Sequence, residues 1–270
     1  MQNAQCQMQT AQLTVVHSAL CLVHLLAVLE YDGTDFQGFQ TQTNGRTVQA
    51  ELERALTEFL PQAKRRTSRV QVVGGGRTDA GVHAYGQAAS FHLDWTRDLE
   101  TFRRALNAKL PTDIFVRRVV EVPENFSARY SAISRVYAYH VWNHPERSVF
   151  HTRYAYWIPE PLDVTAMASA ARHLVGKHDF RAFGSPPRGD NTVREVKRAQ
   201  VERVGPEIIF TFEANAYLYR MVRRMVGTLL LVGRGAMSPV EITNVMQCKR
   251  RAGFAAPPQG LRLMEIKYAI

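Results

Sequence analysis

Between residues 74 and 85 the chain reads Gly-Gly-Gly-Arg-Thr-Asp-Ala-Gly-Val-His-Ala-Tyr, and few backbone paths accommodate such a run. Three successive glycines let the backbone bend sharply and let a bulky ligand come close to it. The apolar run Val70–Val73 precedes them. Gln87–Leu93 follows and alternates, with Ala89, Phe91 and Leu93 on one face and Ser90 and His92 on the other. The stretch therefore reads as a loop between two strands. It holds one carboxylate, Asp79, and near it Arg77, a planar donor fork of the shape that suits phosphate.

Two familiar glycine-rich motifs do not fit. A phosphate loop needs Gly-x-x-x-x-Gly-Lys-Ser/Thr, but Gly76–Gly81 is followed by Val82 and His83. A dinucleotide fingerprint begun at Gly74 and Gly76 needs glycine where Asp79 stands. On residue types alone, a tight turn with a capping aspartate is an equal reading.

The surrounding pattern mixes strands and helices. Leu25–Tyr31 predicts a strand and Asp32-Gly33-Thr34 a turn. Thr47 can cap a helix whose Val48, Leu52, Ala55, Leu56 and Phe59 keep helical spacing up to Pro61. Asp98 opens a second helix, stopped by Pro111. The pattern resets around Pro123-Glu124-Asn125. Ser134–Trp142 then alternates as a strand, Asp163–Val175 reads as a helix closed by Gly176, and Thr192–Val204 with Glu207–Ala214 as a hairpin over Gly205-Pro206. The apolar stripe Leu218, Met221, Val222, Met225, Val226, Leu229 and Leu230 predicts a helix over Tyr217–Val232. Ser238-Pro239-Val240-Glu241 forms a capping box, and Leu261–Tyr268 a closing strand. The result is an α+β chain with an extension at 1–24, an N-terminal subdomain at 25–123 carrying the loop, and a C-terminal subdomain at 124–270.

Charge narrows the partners. The 270 residues hold 34 Lys+Arg against 24 Asp+Glu, a net +10, which favours a polyanion and first of all nucleic acid. Cys6, Cys21 and Cys248 form no Cys-x-x-Cys pair, as expected in a reducing compartment, and the nine histidines show no metal-ligand spacing. No charge occurs before Glu30 and no Lys or Arg before Arg46, which does not suit a secretory signal; Thr14, His17, Ser18 and His24 interrupt the apolar run a membrane span would need. Arg220, Arg223 and Arg224 are spaced to share one face of the Tyr217–Val232 helix, either as a solvated basic face or as guanidiniums aimed at Asp79 or at phosphate. Tyr137 and Tyr139 alternate on the Ser134–Trp142 strand, a pattern that packing alone also produces.

The string Gly-Arg-Thr-Asp-Ala-Gly-Val-His-Ala at 76–84 resembles the catalytic loop of TruA-type tRNA pseudouridine synthases. So do Glu30–Gln40 with Arg46–Gln49, Ser131–Tyr139, Lys177–Phe180, Thr192–Arg194, Met221–Arg223 before Val226-Gly227, and Ala256–Leu261. Phe39 stands where the family more typically has Trp, and Val136 where a basic residue is common. The resemblance runs from about Leu25 to the C-terminus. It implies two related subdomains sharing a mixed, mainly antiparallel sheet flanked by helices. It implies Asp79 as the catalytic residue, Arg223 as its partner and Tyr137 as the ring that stacks on the target base. Arg77, Arg220 and Arg224 become substrate-binding candidates. It also implies a cytoplasmic homodimer with no cofactor and no metal, acting on uridines 38, 39 and 40 of the tRNA anticodon stem-loop. Asp79 has two roles open to it, nucleophile or base. A non-catalytic basic RNA-binding module would account for the charge and for Tyr137, but gives no reason for a carboxylate in an RNA-facing loop. A phosphate-ester hydrolase would need a second carboxylate or a metal cluster.

Overall fold

The computed structural model describes residues 22–269. Its strands are β1 (Leu22–Tyr31), β2 (Val73–Gly74), β3 (His83–Asp94), β4 (Ile114–Glu121), β5 (Ala132–Trp142), β6 (Tyr156–Trp157), β7 (Gly176–Asp179), β8 (Val193–Val204), β9 (Glu207–Ala214) and β10 (Leu261–Tyr268). Its helices are α1 (Val48–Thr57), α2 (Leu99–Asn107), α3 (Val164–Arg172), α4 (Met221–Gly233) and α5 (Ile242–Met246). One sheet runs β4-β1-β3-β10-β5-β9-β8-β7, with β2 added beside β3 and β6 beside β5. The β3–β10 and β5–β6 pairs are parallel and the others antiparallel, so the sheet is mixed and mainly antiparallel, as expected.

The last strand lies in the middle. β10 pairs with β3 through Arg262 opposite His83 and Leu263 opposite Ala84, and with β5 through Leu263 opposite Tyr137. Ala84, Leu263, Tyr137 and Phe212 therefore form one row across the sheet. Asp79 lies five residues before Ala84, so this row brings the loop and Tyr137 together. Central position also explains why β5 is buried on both faces from Val136 to Val141, where alternation alone would leave one face wet.

The helices form where caps and apolar spacing agree. Thr47, Asp98 and Asp163 each accept a backbone N–H in the first turn of α1, α2 and α3. Ser238 and Glu241 make the expected capping box before α5. The stripe expected on α4 is buried throughout, from Leu218 to Leu230.

Several boundaries differ from the sequence reading. β1 begins at Leu22, so residues 22–24 of the expected extension are strand; residues 1–21 lie outside the described residues, as do Cys6 and Cys21. Of Val70–Val73 only Val73 pairs, although Val70 and Val72 are buried. β4 was not expected: Arg117-Arg118 breaks its alternation, and the register against β1 shifts at that point, with Val28 opposite Arg118 and Leu29 opposite Val116. The strand ends the sheet, where exposed arginines discourage further pairing. The largest correction is α4, which begins at Met221, not Tyr217. Arg220 takes a left-handed backbone, φ 60, and Tyr219 donates its N–H to Ser185. A tertiary strand bridge thus overrides helix-compatible residues at 217–220. Among the described residues no helix is long and apolar enough to cross a membrane.

Candidate active site

The loop from Gly75 to Val82 is shaped by backbone contacts. Asp79 begins a turn in which Val82 donates to the Asp79 carbonyl at 3.2 Å and Gly81 takes φ 75. Only glycine or asparagine readily fits that third position of the turn. Behind the loop runs the segment after β1. Phe39 donates its N–H to the Thr78 carbonyl at 3.2 Å, and a β-carbon on Gly38 would lie 2.7 Å from that oxygen. Close approach of two backbones is what the Gly38 position requires.

Facing the loop is the first turn of α4. Arg223 donates from Nη1 to Asp79 Oδ2 at 2.9 Å and from Nε to the Ala256 carbonyl at 2.6 Å. Ala256 in turn donates its N–H to the Arg223 carbonyl at 3.0 Å. The guanidinium fork is therefore divided between the carboxylate and a backbone oxygen, and does not clasp both Asp79 oxygens. Side-chain exposures of 12% for Arg223 and 24% for Asp79 keep the pair partly out of water, where screening is weaker than at an open surface.

Both residues line a cleft of about 610 Å³, which Tyr137, Arg77, Arg129 and Arg194 also line. A space of that size admits a nucleotide-sized ligand. Tyr137 is almost buried and meets Tyr217 edge to face, with ring centroids 5.1 Å apart. Burial raises its hydroxyl well above the usual tyrosine value, so it stays protonated. Arg77 is exposed on the rim. Partial burial, then the nearby Arg129 and Arg188 guanidiniums, lower it from the usual arginine value.

The three sequence-predicted arginines near α4 separate. Arg223 faces Asp79. Arg220 precedes the helix, its guanidinium carbon 4.9 Å from the Tyr219 ring centroid, and it lines both the main cleft and an adjoining hollow of about 340 Å³. Arg224 lines the adjoining hollow, with Arg181. Arg220 is thus not one helical step from the others. The sequence reading gave no role to Arg129, Arg135 and Arg194, which also line the cleft; the last two lay inside quoted motifs. Arg135 donates to the carbonyls of Gly75, Arg129 and Asn215, tying the loop to the far side of the sheet.

One grouping had no spacing signal because its members lie on three separate segments. His24 stands opposite His92 across β1 and β3, and Glu124 Oε1 is 2.9 Å from His92 Nε2. The two rings stack 4.1 Å apart with planes 15° apart, so their in-plane lone pairs run nearly parallel and do not converge on one ion. His24 also bonds the Pro123 carbonyl through Nδ1. None of the three residues lines the cleft.

Known proteins match along nearly all of this architecture. The family model described as tRNA pseudouridine synthase matches residues 27–131 and 170–269, which include Asp79 and Arg223. The chain is 42% identical over 247 residues to a protein from Pseudothermotoga lettingae named tRNA pseudouridine synthase A, covering 90% of this chain and 98% of that one. It is 43% identical over 244 residues to the protein of that name from Geobacillus kaustophilus, covering 89% and 93%. A third, from Anoxybacillus flavithermus, is 44% identical over 243 residues, covering 89% and 96%.

Proposed function

The chain belongs to the tRNA pseudouridine synthase family, and from that premise we propose that it isomerises uridine to pseudouridine in tRNA, with Asp79 as the catalytic residue. The observation that carries the assignment of Asp79 is its ion pair with Arg223 beside Tyr137, inside a cleft lined with arginines. A bare carboxylate would repel RNA phosphate; one paired with a guanidinium does not stand as an uncompensated anion.

The reaction breaks the N1–C1′ bond, turns the uracil and forms a C5–C1′ bond. The proton on C5 leaves and N1 gains one, so the product is an isomer and neither oxidant nor activated donor is consumed. The target base must first leave its stack. Tyr137 then supplies a ring face for the freed uracil, a contact of roughly 1–3 kcal/mol. Asp79 acts at C1′ or on the ribose. Arg223 holds its carboxylate in orientation and offsets its charge. Arg77 on the rim, with Arg220 and Arg224 farther along, meets the RNA backbone.

Residues 25–123 supply Asp79 and Arg77, and residues 124–270 supply Tyr137, Arg220, Arg223 and Arg224, as two subdomains of one enzyme. The same proposal takes uridines 38, 39 and 40 of the anticodon stem-loop as targets, a homodimer as the working form and the cytoplasm as its place. A non-catalytic RNA-binding role would account for the basic charge and for Tyr137, but gives no reason for the Asp79–Arg223 pair inside the cleft. The test is tritium release from tRNA labelled at uridine C5. Release that vanishes when uridines 38–40 are replaced by cytidine supports the activity and its target positions. Release that persists moves the target elsewhere in the tRNA, and no release from any tRNA contradicts the activity.

A further inference from the structure

We propose that Tyr31, Thr78 and Gln87 form a buried polar brace that positions the Asp79 loop for reaction, an inference that rests on the synthase reading above.

The brace grips the loop on both sides of Arg77. Gln87 takes both backbone groups of Gly76: its Oε1 accepts the Gly76 N–H at 3.2 Å, and its Nε2 donates to the Gly76 carbonyl at 3.0 Å. The same amide reaches the Tyr31 hydroxyl at 3.4 Å. That hydroxyl lies 2.8 Å from Thr78 Oγ1, and Thr78 directly precedes Asp79. A chain of side chains thus runs from Gly76 through Gln87 and Tyr31 to Thr78, leaving Arg77 exposed between two anchored neighbours.

All three side chains are withdrawn from water: Gln87 is 0% exposed, Tyr31 3% and Thr78 7%. Burial pushes the Tyr31 hydroxyl up to about 12, so it keeps its proton and remains a hydrogen-bonding group at any working pH. Buried polar groups that satisfy one another specify a single arrangement, and breaking one bond strands its partner. The sheet is also built around Tyr31. β1 and β3 pair Leu29 with Gln87 and then Tyr31 with Ala84, so β3 carries an extra residue at that point. Bulges of this kind re-aim a side chain, here toward the loop. The Tyr31 hydroxyl and the Gln87 amide direct their hydrogen bonds to the loop. They act through Gly76 and Thr78 and are positioning residues.

Misplacing a reacting group by even about 1 Å can slow a reaction by two orders of magnitude. The decisive variants are Tyr31→Phe, Thr78→Val and their combination, each removing the same hydrogen bond, with Thr78→Ser as the conservative control. Single-turnover tritium release should fall about tenfold in Tyr31→Phe and in Thr78→Val, with tRNA affinity within about twofold of wild type. The double variant should be no slower than Tyr31→Phe, which alone already loses the bonds to both Thr78 and Gln87. Thr78→Ser should restore most of the rate. Folded variants at the wild-type rate, or single effects that multiply in the double, would overturn the brace. If Tyr31→Phe does not fold, the Thr78 pair decides: a slow Val variant with a restored Ser variant supports the brace, and any other pattern overturns it. A wild-type protein that releases no tritium would contradict instead the synthase reading beneath it.

Discussion

The two walls of the cleft are held in different ways. On the carboxylate wall the loop is gripped by hydrogen bonds, from Gln87 and Arg135 to the backbone of Gly76 and Gly75, from the Phe39 N–H to the Thr78 carbonyl, and between Tyr31 and the Thr78 side chain. On the guanidinium wall α4 rests on apolar packing, with Met225, Val226, Leu229 and Leu230 fully buried. At Gly227 that wall also demands a particular residue, because a β-carbon there would lie 1.9 Å from the Phe254 carbonyl oxygen. A wall held by hydrogen bonds needs specific residues at specific positions. A wall held by packing needs volume and helical spacing, and tolerates many sequences.

The contrast can be broken at its joint. Arg223→Lys should slow turnover about 100-fold and leave tRNA affinity within about twofold, since a lysine keeps the charge but cannot span Asp79 and the Ala256 carbonyl in one fixed fork. Turnover within a few-fold of wild type would mean that charge alone is required there. Next in size is Tyr137. Its removal in Tyr137→Ala should cost about tenfold or more in turnover, whereas Tyr137→Phe should stay within a few-fold, because the ring face does the holding. Equal, severe loss in both would assign the work to the hydroxyl.

Gly227→Ala probes the packed wall and should read out as stability. Overpacking costs about 1–3 kcal/mol, seen as a melting temperature lowered by several degrees. An unchanged melting temperature would show that α4 does not lie against the Phe254 backbone. Smallest of all are Arg220→Lys and Arg224→Lys, expected within about twofold in both affinity and turnover, because a phosphate contact mainly needs charge. Their alanine versions should each flatten the slope of log affinity against log salt by about one. A slope equal to wild type in both would remove these residues from the RNA-facing surface.

The same contrast explains what the sequence disclosed. The carboxylate wall was legible as a string, because Gly38, Gly76, Thr78 and Asp79 lie in the quoted motifs. The roles of its supports were not: Gln87 read as an ordinary strand residue, and Tyr31, though inside the quoted Glu30–Gln40 motif, only as the end of the first strand; their contacts to the loop arise when β3 and β1 pair. On the packed wall the apolar stripe predicted the helix itself. Its start was misplaced by four residues, because nothing in Tyr217–Arg220 announces the bridge between Tyr219 and Ser185. That error set Arg220 on the helix beside Arg223, where it does not lie. β4 stayed hidden for a similar reason, its alternation broken by an arginine pair at a register shift. Hairpins and caps, which depend on neighbours in sequence, were legible nearly to the residue, and so was the apolar run of the closing strand.

The central claim is that the Asp79 carboxylate performs the isomerisation and does not merely hold the cleft together. Asp79→Asn tests it most directly, because the amide keeps the size of the side chain and an oxygen for Arg223 while removing the charge. Tritium release and tRNA binding should be measured on the same preparation. The account predicts tRNA affinity within a few-fold of wild type and release slowed by about 10⁴-fold or more. Release above a few per cent of the wild-type rate, with binding intact, would contradict it.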